Sequence, residues 1–505
     1  MKIEIMDTTL RDGEQTCGVS FAPHEKLMIA HMLLEELKVD RIEIGSARVS
    51  NGESEAARMI CEWAMRHSLL DRVEILGFVD GKTSADWIRN TGCRVINLLC
   101  KGSLKHCKGQ LRKTPKEHIA DIRKTIKYAT SQDMDVNLYL EDWSNGMKDS
   151  PEYVYEVMDG LNDLPVKRYM LPDTLGVLDP PQTKLFTEEM KKRYPQKHFD
   201  FHAHNDYDLG MANSYAAIEA GIDCLHTTVN GLGERAGNIP LSSILAVLKD
   251  HFHADTQIDE SKLNDVSRAV ESYSGISIPA NQPIVGENVF TQVAGVHADG
   301  DSKNKLYSNN LLPERFGRKR EYALGKTSGR ANIRKNLEIL GLTLDDDSIR
   351  KVTNRIIELG DNKEHITKED LPYIISDVLR NRDGKEHVHL KSYMINLAGD
   401  LNPIATIGIE IDGKNYEESA SGNGQYDAFV KAVRKVYKSL GHNFPTLQNY
   451  AVTIPPGGHT DALVQTVITW NYNKNTFRTR GLDADQTKAA IKATVKMLNF
   501  MEERK

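Results

Sequence analysis

Strand-like apolar runs alternate with segments of helical spacing along roughly the first 250 residues, and this alternation limits the fold more than any other feature. The runs are Ile3–Met6, Arg41–Ile44, Val73–Phe78, Arg94–Leu99, Val136–Leu140, Arg168–Leu171, His198–Phe201 and Cys224–Val229. Between them, Glu25–Lys38 sets Leu27, Met28, Leu33, Leu34 and Leu37 at near-helical intervals behind Pro23, and Ala212–Ala220 reads as a helix stopped by Gly221. Eight β/α units over about 250 residues predict an α/β fold, a closed (β/α)8 TIM barrel. An open, doubly wound sheet is the alternative, but no glycine-rich dinucleotide loop follows the first run.

Polar residues gather where such a barrel keeps its chemistry, at the strand C-termini. Arg11 and Asp12 follow the first run and Asp80 the third, while Asn97 lies near the end of the fourth and Glu141 follows the fifth. Asp173 and Thr174 follow the sixth run, His202 and His204 close the seventh, and Asn230 follows the eighth. Strand side chains alternate, so His202 and His204 face the same way and can share one cation. Two imidazoles with a carboxylate form an open set that leaves positions for a substrate. A pair of structural histidines explains the spacing alone, but not Arg11 and Glu141 beside it.

The net charge of −6 argues against a nucleic-acid partner. No apolar run is long enough to span a membrane, and the first residues enter a strand without a signal-peptide pattern, so no membrane association is expected. Six scattered cysteines without a CxxC pair read as reduced thiols in a cytoplasmic protein.

At 505 residues the chain exceeds a single core. The expected divisions are a barrel at 1–271, an extended linker or lid at 272–329, a helical part at 330–386 and a C-terminal α+β domain at 387–505. Helical spacing marks Ala331–Leu340, Asp347–Leu359 and Thr367–Leu379, with a hinge at 381–385. In the tail a β-rich run with Ile404, Ile407, Ile409 and Ile411 precedes a helix at Tyr426–Leu440. The order recurs as Asn449–Ile454, Ala462–Trp470 and a helix from Ala484 to Leu498, which suggests an internal duplication.

Five motifs occur in order: LRDGEQ (10–15), HAHND (202–206), NGLGERAGN (230–238), GVHADG (295–300) and GKTSGR (325–330). On these the chain resembles the 2-isopropylmalate synthase and homocitrate synthase family of acyl-CoA-condensing barrels. GNGQYDA (422–428) is similar to that family's amino-acid-sensing domain. NLLCKGSLKHC (97–107), NLYLEDWSNG (137–146), LPDTLGVL (171–178) and PERFGRKREYALGK (313–326) look most like its (R)-citramalate synthase branch.

The resemblance implies a metal-dependent Claisen condensation of acetyl-CoA with a 2-oxo acid. It implies Asp12, His202 and His204 as ligands of Zn2+, Mn2+ or Mg2+, with Asn238 in or near the coordination sphere. Arg11 would stabilise the alkoxide and Thr174 would bind the substrate carboxylate, although a turn hydroxyl capping the next helix explains Thr174 equally well. Leu76, Leu99 and Tyr139 would form an apolar floor suited to pyruvate; ordinary barrel packing is the plainer account of them. Glu141 and His297 are rival candidates for the base, and Tyr307 is a catalytic candidate that would join His297. Lys305 occupies a place where a small or polar neighbour is expected. The basic run Lys101, Lys105, Lys108, Arg112 and Lys113 could meet CoA phosphates, but a solvated helix face is the plainer reading. The resemblance further implies a homodimer and a branched-chain amino acid effector, isoleucine first among them. The alternatives are 2-isopropylmalate synthesis, a barrel acyl-CoA lyase, and a non-catalytic amino-acid-binding regulator.

Overall fold

The computed structural model describes residues 2–292, 309–361, 366, 371, 374–375, 378, 387–453, 464–472 and 475–502. Of the sequence expectations, His297, Tyr307, Lys305 and the hinge at 381–385 lie outside the described residues, as does much of Thr367–Leu379. Described residues up to 291, together with 309–321, form one compact unit, and the described remainder forms a second.

In the first unit all eight expected runs are strands: β1 (Glu4–Asp7), β2 (Arg41–Ser46), β3 (Val73–Phe78), β4 (Val95–Lys101), β5 (Asp135–Glu141), β6 (Val166–Asp173), β7 (Phe199–Ala203) and β8 (Cys224–Thr227). They pair in chain order, and β1 closes on β8 with Glu4 opposite Cys224 and Asp7 opposite Thr227. The sheet is the closed barrel rather than the open alternative. Lys101, Glu141 and Asp173 are strand residues, not the turn residues that a sequence boundary suggests.

Side-chain rows alternate as a barrel requires. Ile5, Ile75, Leu138, Tyr169 and Leu225 belong to the large core shared with the helices. Their neighbours Met6, Leu76, Tyr139, Met170 and Cys224 form a separate cluster, against which Leu99 packs. Charged groups share this interior. The buried Arg41 guanidinium donates to Glu74 (2.8 Å) and Asp200 (2.6 Å), where barrel layers more often hold branched apolar residues. Pairing makes such burial tolerable, since an isolated buried charge costs several kcal/mol.

The outer helix after β1 is interrupted. It is α-helical over Pro23–His31 and widens into a π turn at Met32–Glu36, and Leu33, Leu34 and Leu37 are all buried there. Helix Gly210–Glu219 stops where expected, with Gly221 just beyond its end at φ +85°, a left-handed conformation open to glycine.

Asp7, at the end of β1, is expected to make the stability of the barrel depend on pH. Burial pushes its carboxyl up from the usual 3.8 to about 7, against the opposing bonds from Thr9 and Thr227. Its folded-state pKa is raised, so its contribution is fully present below the unfolded value and is lost as pH rises through about 7. The Asp7→Asn variant keeps the shape and cannot ionise. It should match wild type near pH 4 and be the more stable of the two near pH 8, by an amount growing at up to ~1.4 kcal/mol per pH unit across the window. Thermal unfolding at both pH values checks this, and parallel curves would remove Asp7 from the account.

In the second unit, helices Arg330–Leu340 and Asp346–Asp361 pack around Leu324, Ile333, Leu337, Ile349, Val352 and Ile356. Two similar halves follow. Antiparallel strands β9 (Val388–Asn396), β10 (Ile404–Ile411) and β11 (Lys414–Ser421) lead into helix Gln425–Ser439. Strands β12 (Thr446–Thr453), β13 (Val464–Tyr472) and β14 (Asn475–Asp483) lead into helix Gln486–Glu502. The repeat is the one the sequence suggests, but the first half holds two strands beyond the expected run at 404–411, Val388–Asn396 and Lys414–Ser421, and the second half holds one more, Asn475–Asp483. No helix among the described residues is long and apolar enough to cross a membrane.

Candidate metal centre at the barrel mouth

Beyond β1 the chain turns tightly, with the amides of Arg11, Asp12 and Gly13 all donating to Thr8 O, which places Asp12 in the buried mouth region. His202 lies in β7, and His204 follows it in an isolated β-bridge with Asn238. Asp12 Oδ2 is 3.0 Å from His202 Nε2 and 3.8 Å from His204 Nε2, and the two Nε2 atoms are 3.4 Å apart. Asn238 is held by its loop: its Nδ2 donates to Leu232 O at 3.1 Å. A Cβ on Gly233, which lies at φ +153°, would come within 2.2 Å of that same Nδ2.

These residues fit a divalent cation. Asp12 Oδ1 and Asn238 Oδ1 are buried without a hydrogen-bond partner, and Asp12 Oδ2 has only its close contacts to His202, His204 and Arg11. Burial opposes ionisation of Asp12, but Arg11 and the two imidazoles outweigh it and hold the carboxyl well below its usual range. Burial also lowers both histidines, His204 to about 4, despite the opposing pull of Asp12. Two neutral imidazoles and a carboxylate therefore converge, each with a ligand atom within 4.8 Å of the others. Asp200, Cys224 and His226 converge as well. There, however, an Arg41 nitrogen already lies 2.6 Å from Asp200 Oδ2 and 3.0 Å from Cys224 Sγ, so a metal would have to displace a permanent cation.

Arg11 joins this centre to a buried polar network. Its Nε donates to Glu43 Oε2 (2.6 Å), another nitrogen donates to the Tyr139 hydroxyl (3.2 Å), and a third lies 3.3 Å from Asp12. Glu43 also accepts from Asn97 Nδ2 (2.8 Å), and Asn97 Oδ1 accepts from Asn137 Nδ2 (2.9 Å). Leu76, Leu99 and Tyr139 do lie together, but the floor they make is not wholly apolar, because the Tyr139 hydroxyl belongs to the network.

Thr174 caps no helix of its own. Its hydroxyl accepts from the Asp142 amide (2.8 Å), which leaves the hydroxyl proton free to be donated. Glu141 pairs with Lys101, its register partner on β4. Lys101 is thus a buried strand end rather than part of a solvated helix face. Lys105 and Lys108 line a cavity of about 290 Å3 with Ser103, Leu104, Asn145, Asp149 and Ser150. Lys113 pairs with Asp121.

Sequence reasoning passed over Glu43, Asp200, His226 and the pairing of Lys101. A signal existed for Glu43: in Arg41-Ile42-Glu43-Ile44 charged and apolar residues alternate inside a run that has to be buried on both faces.

The HMGL-like family model matches residues 2–270. The chain belongs to that family. Its remainder matches a homocitrate synthase post-HMGL domain-like model at residues 284–364 and the LeuA allosteric (dimerisation) domain at 365–502. A putative (R)-citramalate synthase of Methanopyrus kandleri is 34% identical, covering 92% of this chain and 89% of that protein. The (R)-citramalate synthase of Methanocaldococcus jannaschii is 33% identical over 99% of this chain and 100% of its own length. A probable 2-isopropylmalate synthase of Methanopyrus kandleri is 32% identical over 100% and 99% respectively. This member of the HMGL-like family is an acyltransferase of the citramalate and 2-isopropylmalate synthase type. Identity does not separate the two activities.

Proposed function

We propose that the chain condenses acetyl-CoA with pyruvate to give (R)-citramalate and free CoA, on a route to isoleucine. The observation that carries this reading is the floor of Leu76, Leu99 and Tyr139, backed by Met6 and Met170. It suits a methyl group, and the floor itself carries no cation to pair with a second carboxylate. Burying an unpaired carboxylate there would cost several kcal/mol, which disfavours 2-oxoglutarate. An extra methylene changes binding by only ~1–3 kcal/mol, so branched 2-oxo acids are rejected less firmly. That smaller margin keeps 2-isopropylmalate synthesis from 2-oxoisovalerate as the second reading, supported by the near-equal identity to a relative of that name.

Asp12, His202 and His204, with Asn238 beside them, would hold a Zn2+, Mn2+ or Mg2+ ion, whose Lewis acidity would polarise the keto group of the 2-oxo acid. Thr174 donates its free hydroxyl proton to the substrate carboxylate. The acetyl methyl loses a proton to Glu141 or His297, and the resulting carbanion attacks the keto carbon. As that carbon–carbon bond forms, the oxygen gains charge, and Arg11 stands fixed on Glu43 to donate to it. Water then cleaves the thioester, releasing CoA and the second carboxylate.

The C-terminal domain, from 387 onward, would bind isoleucine, inhibit the barrel by feedback and pair two chains in a cytoplasmic homodimer. The LeuA allosteric (dimerisation) match supports this, as do the apolar residues Met394, Leu397, Leu401 and Leu447 left exposed in that domain. The test of substrate choice is a thiol-release assay with pyruvate, 2-oxobutyrate, 2-oxoisovalerate and 2-oxoglutarate. Pyruvate should give the highest kcat/KM, by ~10-fold or more over 2-oxoisovalerate, and 2-oxoglutarate no turnover. If 2-oxoisovalerate proves the best substrate, the second reading replaces the first.

A further inference from the structure

A ligand histidine binds a metal through one ring nitrogen only if the proton sits on the other. His202 has no carboxylate or carbonyl at its Nδ1. It has a second histidine, with His226 Nδ1 3.3 Å away. His226 is fully enclosed and packs among His202, Tyr139 and Asp200, with its ring centroid 5.3 Å from that of His202 and 5.6 Å from that of Tyr139. Its own Nε2 is 3.0 Å from Asp200 Oδ2, and that carboxylate is anchored at 2.6 Å by Arg41. Strands β7 and β8 pair with Asp200 opposite Cys224 and Phe201 opposite Leu225, and the same register carries His202 beside His226.

Protons can be assigned along this row. A carboxylate only accepts, so His226 bears its hydrogen on Nε2 and a lone pair on Nδ1. Asp12 Oδ2, 3.0 Å from His202 Nε2, would draw the His202 hydrogen there in the metal-free protein. With a cation on the Nε2 side that pull is removed, and because two facing lone pairs repel, His202 then carries its hydrogen on Nδ1. Its Nε2 lone pair then points to where Asp12 Oδ2 and His204 Nε2 converge. Tyr139 does not upset the assignment. Its hydroxyl, 3.1 Å from His226 Nδ1 and 3.3 Å from Glu43 Oε2, has the carboxylate as an alternative acceptor.

We propose that His226 is a positioning residue, which fixes the Nδ1–H tautomer and the ring orientation of His202 through the row Asp200–His226–His202. The proposal rests on the reading of Asp12, His202 and His204 as metal ligands. It adds a part that no ligand motif reveals, an imidazole in the place where a carboxylate or carbonyl more often orients a metal-bound histidine.

The test uses full-length His226→Leu and His226→Asn, two side chains of nearly the same shape. Both lose the contact to Asp200, but only asparagine offers an oxygen to accept from His202 Nδ1. The metal-free proteins are first compared by thermal unfolding. Affinity for Co2+ is then measured by chelator competition, with the visible spectrum reporting the ligand set. His226→Leu should bind 10–100-fold more weakly than wild type, roughly the effect of losing an outer-shell partner, while His226→Asn stays within ~3-fold. Equal affinities in all three proteins, or equal losses in both variants, would overturn the proposal. Wild-type protein that binds no Co2+ would overturn the metal reading itself. Should His226→Leu fail to fold, the ring nitrogens of 15N-histidine wild-type protein loaded with Zn2+, assigned with His202→Gln, give the answer. A proton on His202 Nδ1 supports the row, and one on Nε2 refutes it.

Discussion

Replacing His204 with alanine is expected to abolish metal loading and turnover while leaving the metal-free chain folded. A buried histidine that serves structure is usually costly to remove, because its partners are left unsatisfied. His204 has few to leave. Its Nδ1 has no hydrogen-bond partner, its Nε2 is 3.4 Å from His202 Nε2 and 3.8 Å from Asp12 Oδ2, and its bridge to Asn238 is a backbone contact that alanine keeps. Burial holds the ring neutral, with a pKa of about 4, so no stabilising charge is lost near neutral pH either. What the variant does lose is one of three converging ligand atoms. The affinity loss should exceed the ~10–100-fold typical of an outer-shell partner. Metal content after dialysis, thiol release with pyruvate, and thermal unfolding separate these effects. Full turnover by a metal-free variant would end the account of the site. A collapse in stability would make His204 a structural residue.

The barrel was legible because its strands had to be apolar and its helices amphipathic, and both periods survive in one sequence. The candidate site at the strand ends was legible for a related reason: Arg11, Glu141, His202 and His204 sit where an apolar run stops. Polar residues inside the runs were harder to read. In Arg41–Ser46 the alternation of Arg41, Ile42, Glu43 and Ile44 has the pattern of a strand with one wet face, yet the polar face points into the barrel and is dry. Periodicity alone cannot tell a lumen from solvent. Asp200 and His226 were hidden in the same way, each one strand position from an apolar core residue. Lys101 was grouped with Lys105 and Lys108 because they are close in sequence, although β4 carries it to a buried pairing with Glu141. In the C-terminal halves the third strands escaped notice for the opposite reason. Lys414–Ser421 is mostly polar, and it becomes a strand by pairing antiparallel with β10 rather than through its own apolar content.

The Glu141→Gln variant should lower kcat by ~100-fold or more with little change in KM for the 2-oxo acid. Glu141 ends β5 with its side chain 24% exposed, open enough to meet a substrate, and it is tied by Lys101 from the adjacent strand. Glutamine keeps the length and can still accept from Lys101, so the local fold should persist. It cannot take a proton. If Glu141 removes the methyl proton, that step becomes rate-limiting in the variant, and acetyl-CoA carrying a deuterated methyl should show a larger primary isotope effect than with wild type. If Glu141 only orients the carbanion, kcat falls but the isotope effect stays as it was. A near-normal rate in Glu141→Gln, with the loss appearing in His297→Asn, would move the proton transfer to His297. The rate measures whether Glu141 matters to the reaction, and the isotope effect measures whether it is the base.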